Sequence, residues 1–314
     1  MNTTRFQTTD RVLMIRPARF AANAETAASN RYQLAEPAEE DSELHGQAVA
    51  EFDGLASALR EAGVDVIALD DTREPHTPDA HFPNNWVSFH ASGMVVLYPM
   101  LASSRRAEVR PELVDRLEDE HGLAWSRCLD LTGLAKVGAF LEGTGSLVLD
   151  RANRVAYACL SPRTTERGLA AFADHTGYAI ESFRAEDRGD AVYHTNVMMG
   201  LGPAFAAVCL EAITNEHERE RVRARLERSG REIVALTRAQ MGSFAGNLLA
   251  LRSRDGEPLI AMSDAAWNAL DGSQRETLER HGRIVHAPLA TIEAHGGGSA
   301  RCMLAELFAP SPTG

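Results

Sequence analysis

The chain has 314 residues, 44% of them apolar, enough for a large buried core; at about 150 residues per domain it has room for two domains. Its formal charge of −12 works against nucleic acid and anionic membrane as partners, while leaving room for a local pocket that takes a charged small molecule. The first ten residues carry no apolar signal core, and no run reaches the roughly 18 apolar residues of a membrane span, so a cytoplasmic protein is expected.

Along the chain, residues 12–15 (Val-Leu-Met-Ile) read as a strand. Residues 43–62 carry apolar Leu44, Val49, Phe52, Leu55 and Leu59 at helical spacing and stop at Gly63; 64–69 then read as a strand. At 82–98 a small and polar cluster, Pro-Asn84-Asn85, leads into two apolar runs parted by a turn. Residues 111–120 look helical. At 142–158 the pattern returns: Glu142-Gly-Thr-Gly-Ser, a strand, a turn and a second strand. A helix over 164–176 and a strand over 178–183 follow. His194-Thr-Asn196 opens the next strand, and Asn215 with Glu218 caps a charged helix that ends at Gly230. The strand 233–236 comes next, then Gly246-Asn247 with strands at 248–251 and 258–262. Ser263-Asp264 opens another helix, 283–286 read as a strand, and Gly296-Gly-Gly-Ser-Ala-Arg-Cys302-Met comes last.

The clusters recur. Taking Asn85, Gly143, Asn196, Asn247 and Gly298 as markers, the steps are 58, 53, 51 and 51 residues. A sustained period in this range points to a propeller or array and not to two unrelated domains. The unit is strand, strand, helix, strand, repeated five times, with 12–15 supplying the strand that closes the ring. No Pro/Gly/Ser linker cuts the chain, so a single domain over 1–314 is expected. Equivalent positions of such a ring face its axis. Asn84, Asn85, Glu142, His194, Asn196, Asn247 and Cys302 would then meet in one cleft: a thiol, an imidazole, a carboxylate and several amides.

Each of these has a plain structural reading beside the chemical one. Cysteine is among the most buried residue types. For Cys159 and Cys209, inside apolar runs, burial is the better account, and Cys128 is uninformative. Cys302 follows three glycines, which let backbone approach a ligand, and Arg301 is a neighbouring charge that would favour a thiolate; a reactive and an inert thiol are both open. A lone histidine is commonly structural, but His194 belongs to a cluster at a matching blade position, and an imidazole both takes and gives a proton near neutrality. Glu142 between Leu141 and Gly143 is either a solvated loop charge or an acid set just before a strand. The cysteines show no CxxC spacing and the histidines no paired ligand spacing, so no metal is expected. Dinucleotide, P-loop and GxSxG patterns are missing.

Taken together, the glycine run ending in Arg-Cys-Met at 296–303, His194, Glu142-Gly143, and the stretches 14–27 and 82–86 resemble the guanidino-group-modifying superfamily of amidinotransferases, arginine deiminases and dimethylarginine dimethylaminohydrolases. The last two stretches resemble its citrulline-utilisation hydrolase type. The resemblance implies the pentein fold, a five-bladed α/β propeller, with Cys302, His194 and Glu142 as the catalytic set. It implies no cofactor, a small amino-acid substrate, and is compatible with a homo-oligomer. In arginine deiminases two aspartates grip the guanidinium; the matching positions here are Asn84 or Asn85, and Asn196. Amides carry no charge and offer donor and acceptor, so a neutral ureido substrate such as citrulline is favoured over arginine. Asn247 joins the substrate-binding set, and Arg16, with Arg19 and Arg31, is a candidate for the substrate carboxylate. The alternatives are deiminase or dimethylaminohydrolase chemistry, and a non-catalytic amino-acid-binding propeller.

Overall fold

The computed structural model describes residues 7–27, 29–34 and 42–308; residues 1–6, part of the stretch read for a signal core, lie outside them. The order begins with β1 (Arg11–Arg16), α1 (Ser42–Glu61) and β2 (Asp65–Asp70). Next come β3 (Val87–His90), β4 (Met94–Leu97), α2 (Pro111–His121) and β5 (Arg127–Asp130), then β6 (Leu147–Asp150), β7 (Val155–Cys159), α3 (Glu166–Thr176) and β8 (Ala179–Phe183). A small hairpin, β9 (Glu186–Asp187) and β10 (Asp190–Ala191), precedes β11 (Met199–Leu201), β12 (Phe205–Val208), α4 (Glu216–Arg228) and β13 (Glu232–Ala235). The order ends with β14 (Leu249–Arg252), β15 (Pro258–Ser263), α5 (Gly272–His281), β16 (Arg283–Ala287) and β17 (Ala305–Glu306).

The main sheets share one plan. Each has three strands, the first antiparallel to the second and the second parallel to the third: β3-β4-β5, β6-β7-β8, β11-β12-β13 and β14-β15-β16. The parallel pair needs a crossover, which the helix supplies. The fifth sheet has the same plan with its strands from both ends of the chain: β17 runs antiparallel to β1, Val12 opposite Glu306, and β1 is parallel to β2. The α/β class and the strand-strand-helix-strand unit expected from the periodicity are therefore present.

Burial follows the sequence pattern. The middle strand β7, Val-Ala-Tyr-Ala-Cys, is buried at every residue, as a continuous apolar run should be when both faces are covered. Third strands are covered less completely: in β5 only Leu129 is buried. That single apolar residue explains why residues 127–130 give no strand signal. Helix α1 lays Leu44, Ala48, Phe52, Leu55, Ala56 and Leu59 into the core. Adjacent sheets meet through their first strands, β11 touching β6 and β14, and β17 touching β3. Among the described residues no helix is long and apolar enough to cross a membrane.

Candidate functional site

The segment leading into each first strand is short and tightly turned. Pro83–Asn85 precedes β3, Gly143–Ser146 precedes β6, Thr195–Met198 precedes β11, residues 246–247 precede β14, and Ala300–Met303 precedes β17. His194 thus stands before a helical turn, and not at the start of a strand as its sequence suggests. The turn 83–85 touches both 143–146 and 300–303, and 143–146 touches 195–198. Gly246 lies so close to Val197 and Met198 that a Cβ there would sit 2.7 Å from their backbone. Residues more than two hundred positions apart are brought together by these five turns.

Cys302 is buried, and its Sγ accepts from two amides, Asn196 Nδ2 and Asn247 Nδ2, each at 3.3 Å. Asn247 is held in turn: its Oδ1 accepts from the Arg301 backbone N–H at 3.0 Å and its Nδ2 also donates to the Asn196 carbonyl at 2.9 Å. Arg301 is a charge beside the thiol, as expected, but its hydrogen bonds go elsewhere. Its guanidinium donates to Glu306 Oε2 and to the Leu304 carbonyl, both at 2.8 Å, so its charge is compensated by Glu306. The donors at the sulfur are neutral amides. Cys159 and Cys209 are core residues, and burial pushes their thiols up to about 12 and about 11.

His194 Nε2 lies 2.8 Å from Glu142 Oε2, both residues buried. A carboxylate only accepts, so Nε2 carries the hydrogen and Nδ1 is left with its lone pair. Burial lowers His194 to about 4, against the opposing pull of Glu142, so the free imidazole is neutral at neutral pH. Burial works against ionisation of Glu142, but Arg163, His194 and Arg105 together outweigh it and hold the carboxyl well below its usual range. Its Oε1 accepts from the Leu101 N–H at 3.0 Å. Gly145 faces the imidazole. A Cβ there would meet His194 Nδ1 at 2.7 Å and Asn85 Nδ2 at 2.4 Å, so the missing side chain keeps Nδ1 uncovered. Gly143 takes φ +48°, with its pro-Cβ direction filled by the Asn84 carbonyl.

Asn84 and Asn85 form a ladder with a residue that sequence reasoning missed. Arg105 Nη1 donates to Asn85 Oδ1 at 2.8 Å, and Asn85 Nδ2 donates to Asn84 Oδ1 at 2.9 Å. Arg105 is forked to Glu108 and lies 3.5 Å from Asp79 and 3.8 Å from Glu142. Burial opposes its charge, but these three acids overcome that and keep it protonated. Arg163 is likewise buried, 3.6 Å from Glu142, with its other nitrogens on Ser29 and the Thr26 carbonyl. Arg105 in Ser-Ser-Arg-Arg-Ala and Arg163 in Ser-Pro-Arg-Thr have the local look of surface loop residues; only their burial sets them apart.

Arg16 is not brought to this cluster. It ends β1, and its guanidinium is gripped by Asp53 of α1 at 2.8 and 2.9 Å on an exposed face. Arg31 is paired with Asp187. Among the described residues no group of three or more His, Cys, Asp or Glu is arranged to hold a metal. Five buried polar atoms near these turns have no partner: Asp79 Oδ1, Asn84 Nδ2, Asn196 Oδ1 and both ring nitrogens of His81 leave a lining that is polar and unsatisfied.

Five three-stranded α/β sheets, with a buried thiol and a carboxylate–imidazole pair on the turns that lead into them, define the guanidino-group-modifying, or pentein, superfamily. Residues 16–309 match the family described as N,N dimethylarginine dimethylhydrolase, eukaryotic, and the chain belongs to that hydrolase family. The fold is similar to that of the N-terminal domain of ArgZ, an arginine dihydrolase from the ornithine–ammonia cycle in cyanobacteria, solved with its product. The TM-score is 0.73 at 20% identity, covering 96% of this chain and 98% of that one. Against full-length ArgZ the chain spans 41% of the length. Unliganded AgrE gives a TM-score of 0.72 at 20% identity, over 96% of this chain and 39% of that one. A dimethylarginine dimethylaminohydrolase variant carrying an S-methyl-L-thiocitrulline adduct gives 0.64 at 15% identity, over 95% and 99%. No curated protein matches the sequence.

Proposed function

We propose that this chain is a cysteine-dependent hydrolase that cleaves the bond between the ureido carbon and the alkyl-bearing nitrogen of a ureido amino acid, with citrulline as the preferred substrate. The observation that carries the reading is the polarity of the unpaired amide atoms. The turns expose one buried donor, Asn84 Nδ2, and one buried acceptor, Asn196 Oδ1. A ureido group meets both needs, since its carbonyl accepts and its N–H groups donate. A guanidinium only donates, which would leave the Asn84 donor facing donors in a buried site.

The chemistry follows from the tautomer. Neutral His194 takes the Cys302 proton at Nδ1, and the amide N–H groups of Asn196 and Asn247 stabilise the thiolate. The sulfur adds to the ureido carbon, and Asn84 Nδ2 holds the oxygen as charge develops on it. The C–N bond to the alkyl chain breaks as His194 returns the proton to the departing nitrogen, leaving a carbamoyl thioester on Cys302. His194 then draws a proton from water, which displaces the sulfur. The carbamate falls to carbon dioxide and ammonia, and ornithine leaves. Glu142 fixes the ring and its tautomer. Covalent capture of ArgZ with a reaction intermediate supports an enzyme-bound step. The scheme needs no cofactor. We further propose that the five sheets close as propeller blades in one unit over the whole chain; the touching first strands support this.

One observation favours a second reading, hydrolysis of arginine or a methylated arginine. Two of the unpartnered buried atoms, Asp79 Oδ1 and Asn196 Oδ1, are oxygens, which suits a group that only donates. Mass spectrometry of products from citrulline, arginine and dimethylarginine separates the two. Ornithine from citrulline is expected, and none from Cys302→Ser with its fold intact. Conversion of arginine with citrulline untouched would refute the preference, and turnover by Cys302→Ser would refute the nucleophile.

A further inference from the structure

We infer that the buried Arg105–Glu108 pair sets substrate choice by locking the amide ladder, so that Asn85 and Asn84 are positioned with a donor, and never an acceptor, at the reacting group. This deepens the ureido reading and rests on it for the direction of the preference.

An asparagine amide is nearly symmetric in shape, and either end can face a ligand. The direction here is dictated by a group with no choice. A guanidinium has donors only, so whatever meets Arg105 Nη1 at 2.8 Å must be an oxygen. That turns Asn85 Oδ1 toward Arg105 and Asn85 Nδ2 toward Asn84, 2.9 Å away. Asn84 must then present Oδ1 to its neighbour, and its Nδ2 is the atom left over, buried and without a partner. Two amides thus relay the donor-only character of an arginine to the substrate.

Arg105 itself is held from several sides. Its Nε and Nη2 are forked onto Glu108 at 3.0 and 2.9 Å, and the whole group is buried. A bidentate Arg–carboxylate pair fixes orientation as well as charge. Arg105 is therefore a positioning residue. It acts on the substrate through Asn85 and Asn84, and its nitrogens are already committed to Glu108 and Asn85.

The test measures binding in a Cys302→Ala background, where turnover does not interfere, by titration calorimetry with citrulline and with arginine. Replacing the pair with apolar residues of similar length, Arg105→Met with Glu108→Leu, removes the lock while filling the space. Asn84 and Asn85 are then free to flip, and the ratio of citrulline to arginine affinity should fall about ten- to a hundredfold. Arg105→Lys keeps a donor-only group against Asn85 and should hold that ratio within about threefold, although both affinities drop. A merely structural role would weaken both ligands alike and leave the ratio unmoved. If the double variant does not fold, Asn85→Leu cuts the relay at its second link and should lower the ratio similarly. An unchanged ratio in the folded double variant or in Asn85→Leu, or an equal fall in Arg105→Lys, overturns the inference. The product assay fails separately: a wild-type protein that consumes only arginine refutes the citrulline preference, while the shift in the affinity ratio still reads the relay.

Discussion

Gly145 offers a narrow probe of the site. Its φ lies outside the left-handed region, so alanine fits the backbone and only the added methyl acts. That methyl would lie 2.7 Å from His194 Nδ1 and 2.4 Å from Asn85 Nδ2, where ordinary contacts begin near 3.4 Å. The imidazole would have to retreat about 0.7 Å and the amide about 1 Å. Neither yields readily. The ring is tied to Glu142 at 2.8 Å and lies against the Tyr193 ring at 4.7 Å, and the amide is pinned between Arg105 and Asn84. Overpacking of this kind costs about 1–3 kcal/mol of stability. A displacement of about 1 Å in a catalytic group costs about a hundredfold in rate. Gly145→Ala should therefore fold with a lowered Tm and lose about two orders of magnitude in kcat. Steady-state ammonia release together with scanning calorimetry measures both. A variant that keeps kcat within about twofold of the parent would show that Nδ1 is not the working nitrogen.

Asn196→Asp sets a carboxylate against Cys302 where an amide N–H now donates, so alkylation of Cys302 at neutral pH should slow about tenfold or more; an unchanged rate would remove Asn196 from thiolate support. The measurement is made with Cys128 replaced, since that thiol is exposed. Acid stability follows from three buried histidines. Burial holds His81 and His90 at about 3 and His194 at about 4, against about 6.5 in the unfolded chain. Because the folded values are lower, the unfolded chain binds protons first. The stability present above about pH 6.5 is lost as the pH falls from there toward 4 and 3, by about 2 kcal/mol per histidine at pH 5. Calorimetry at pH 7 and pH 5 should show a marked drop in Tm; a flat profile would contradict neutral burial.

What the sequence revealed and what it hid divide along physical lines. Apolar runs such as residues 155–159 and the stripe of α1 encode burial directly, so most strands and helices were readable. So was the repeat, because each unit needs the same strand-strand-helix-strand order to pair a parallel third strand. Strand β5 escaped, since one buried leucine in Arg-Cys-Leu-Asp makes no pattern. Glu142, His194, Asn196, Asn247 and Cys302 were legible as a cluster because they sit at or beside equivalent points of the repeat. Arg105, Glu108, Asp79 and Arg163 were not, because they lie between markers and a buried ion pair has no local signature. Arg16 lies in a family-like stretch, but it ends a central strand and its side chain meets the following helix, here at Asp53.

The strand β17 is two residues long, begins three positions after Cys302, and is held by β1 from the opposite terminus. The place of the Cys302 sulfur therefore hangs on a pairing between stretches almost three hundred positions apart. The amides of residues 196 and 247 come from two other sheets and meet that sulfur only when this short seam is fastened. A change that loosened two residue pairs between β1 and β17 would thus reach the thiol without touching any group beside it.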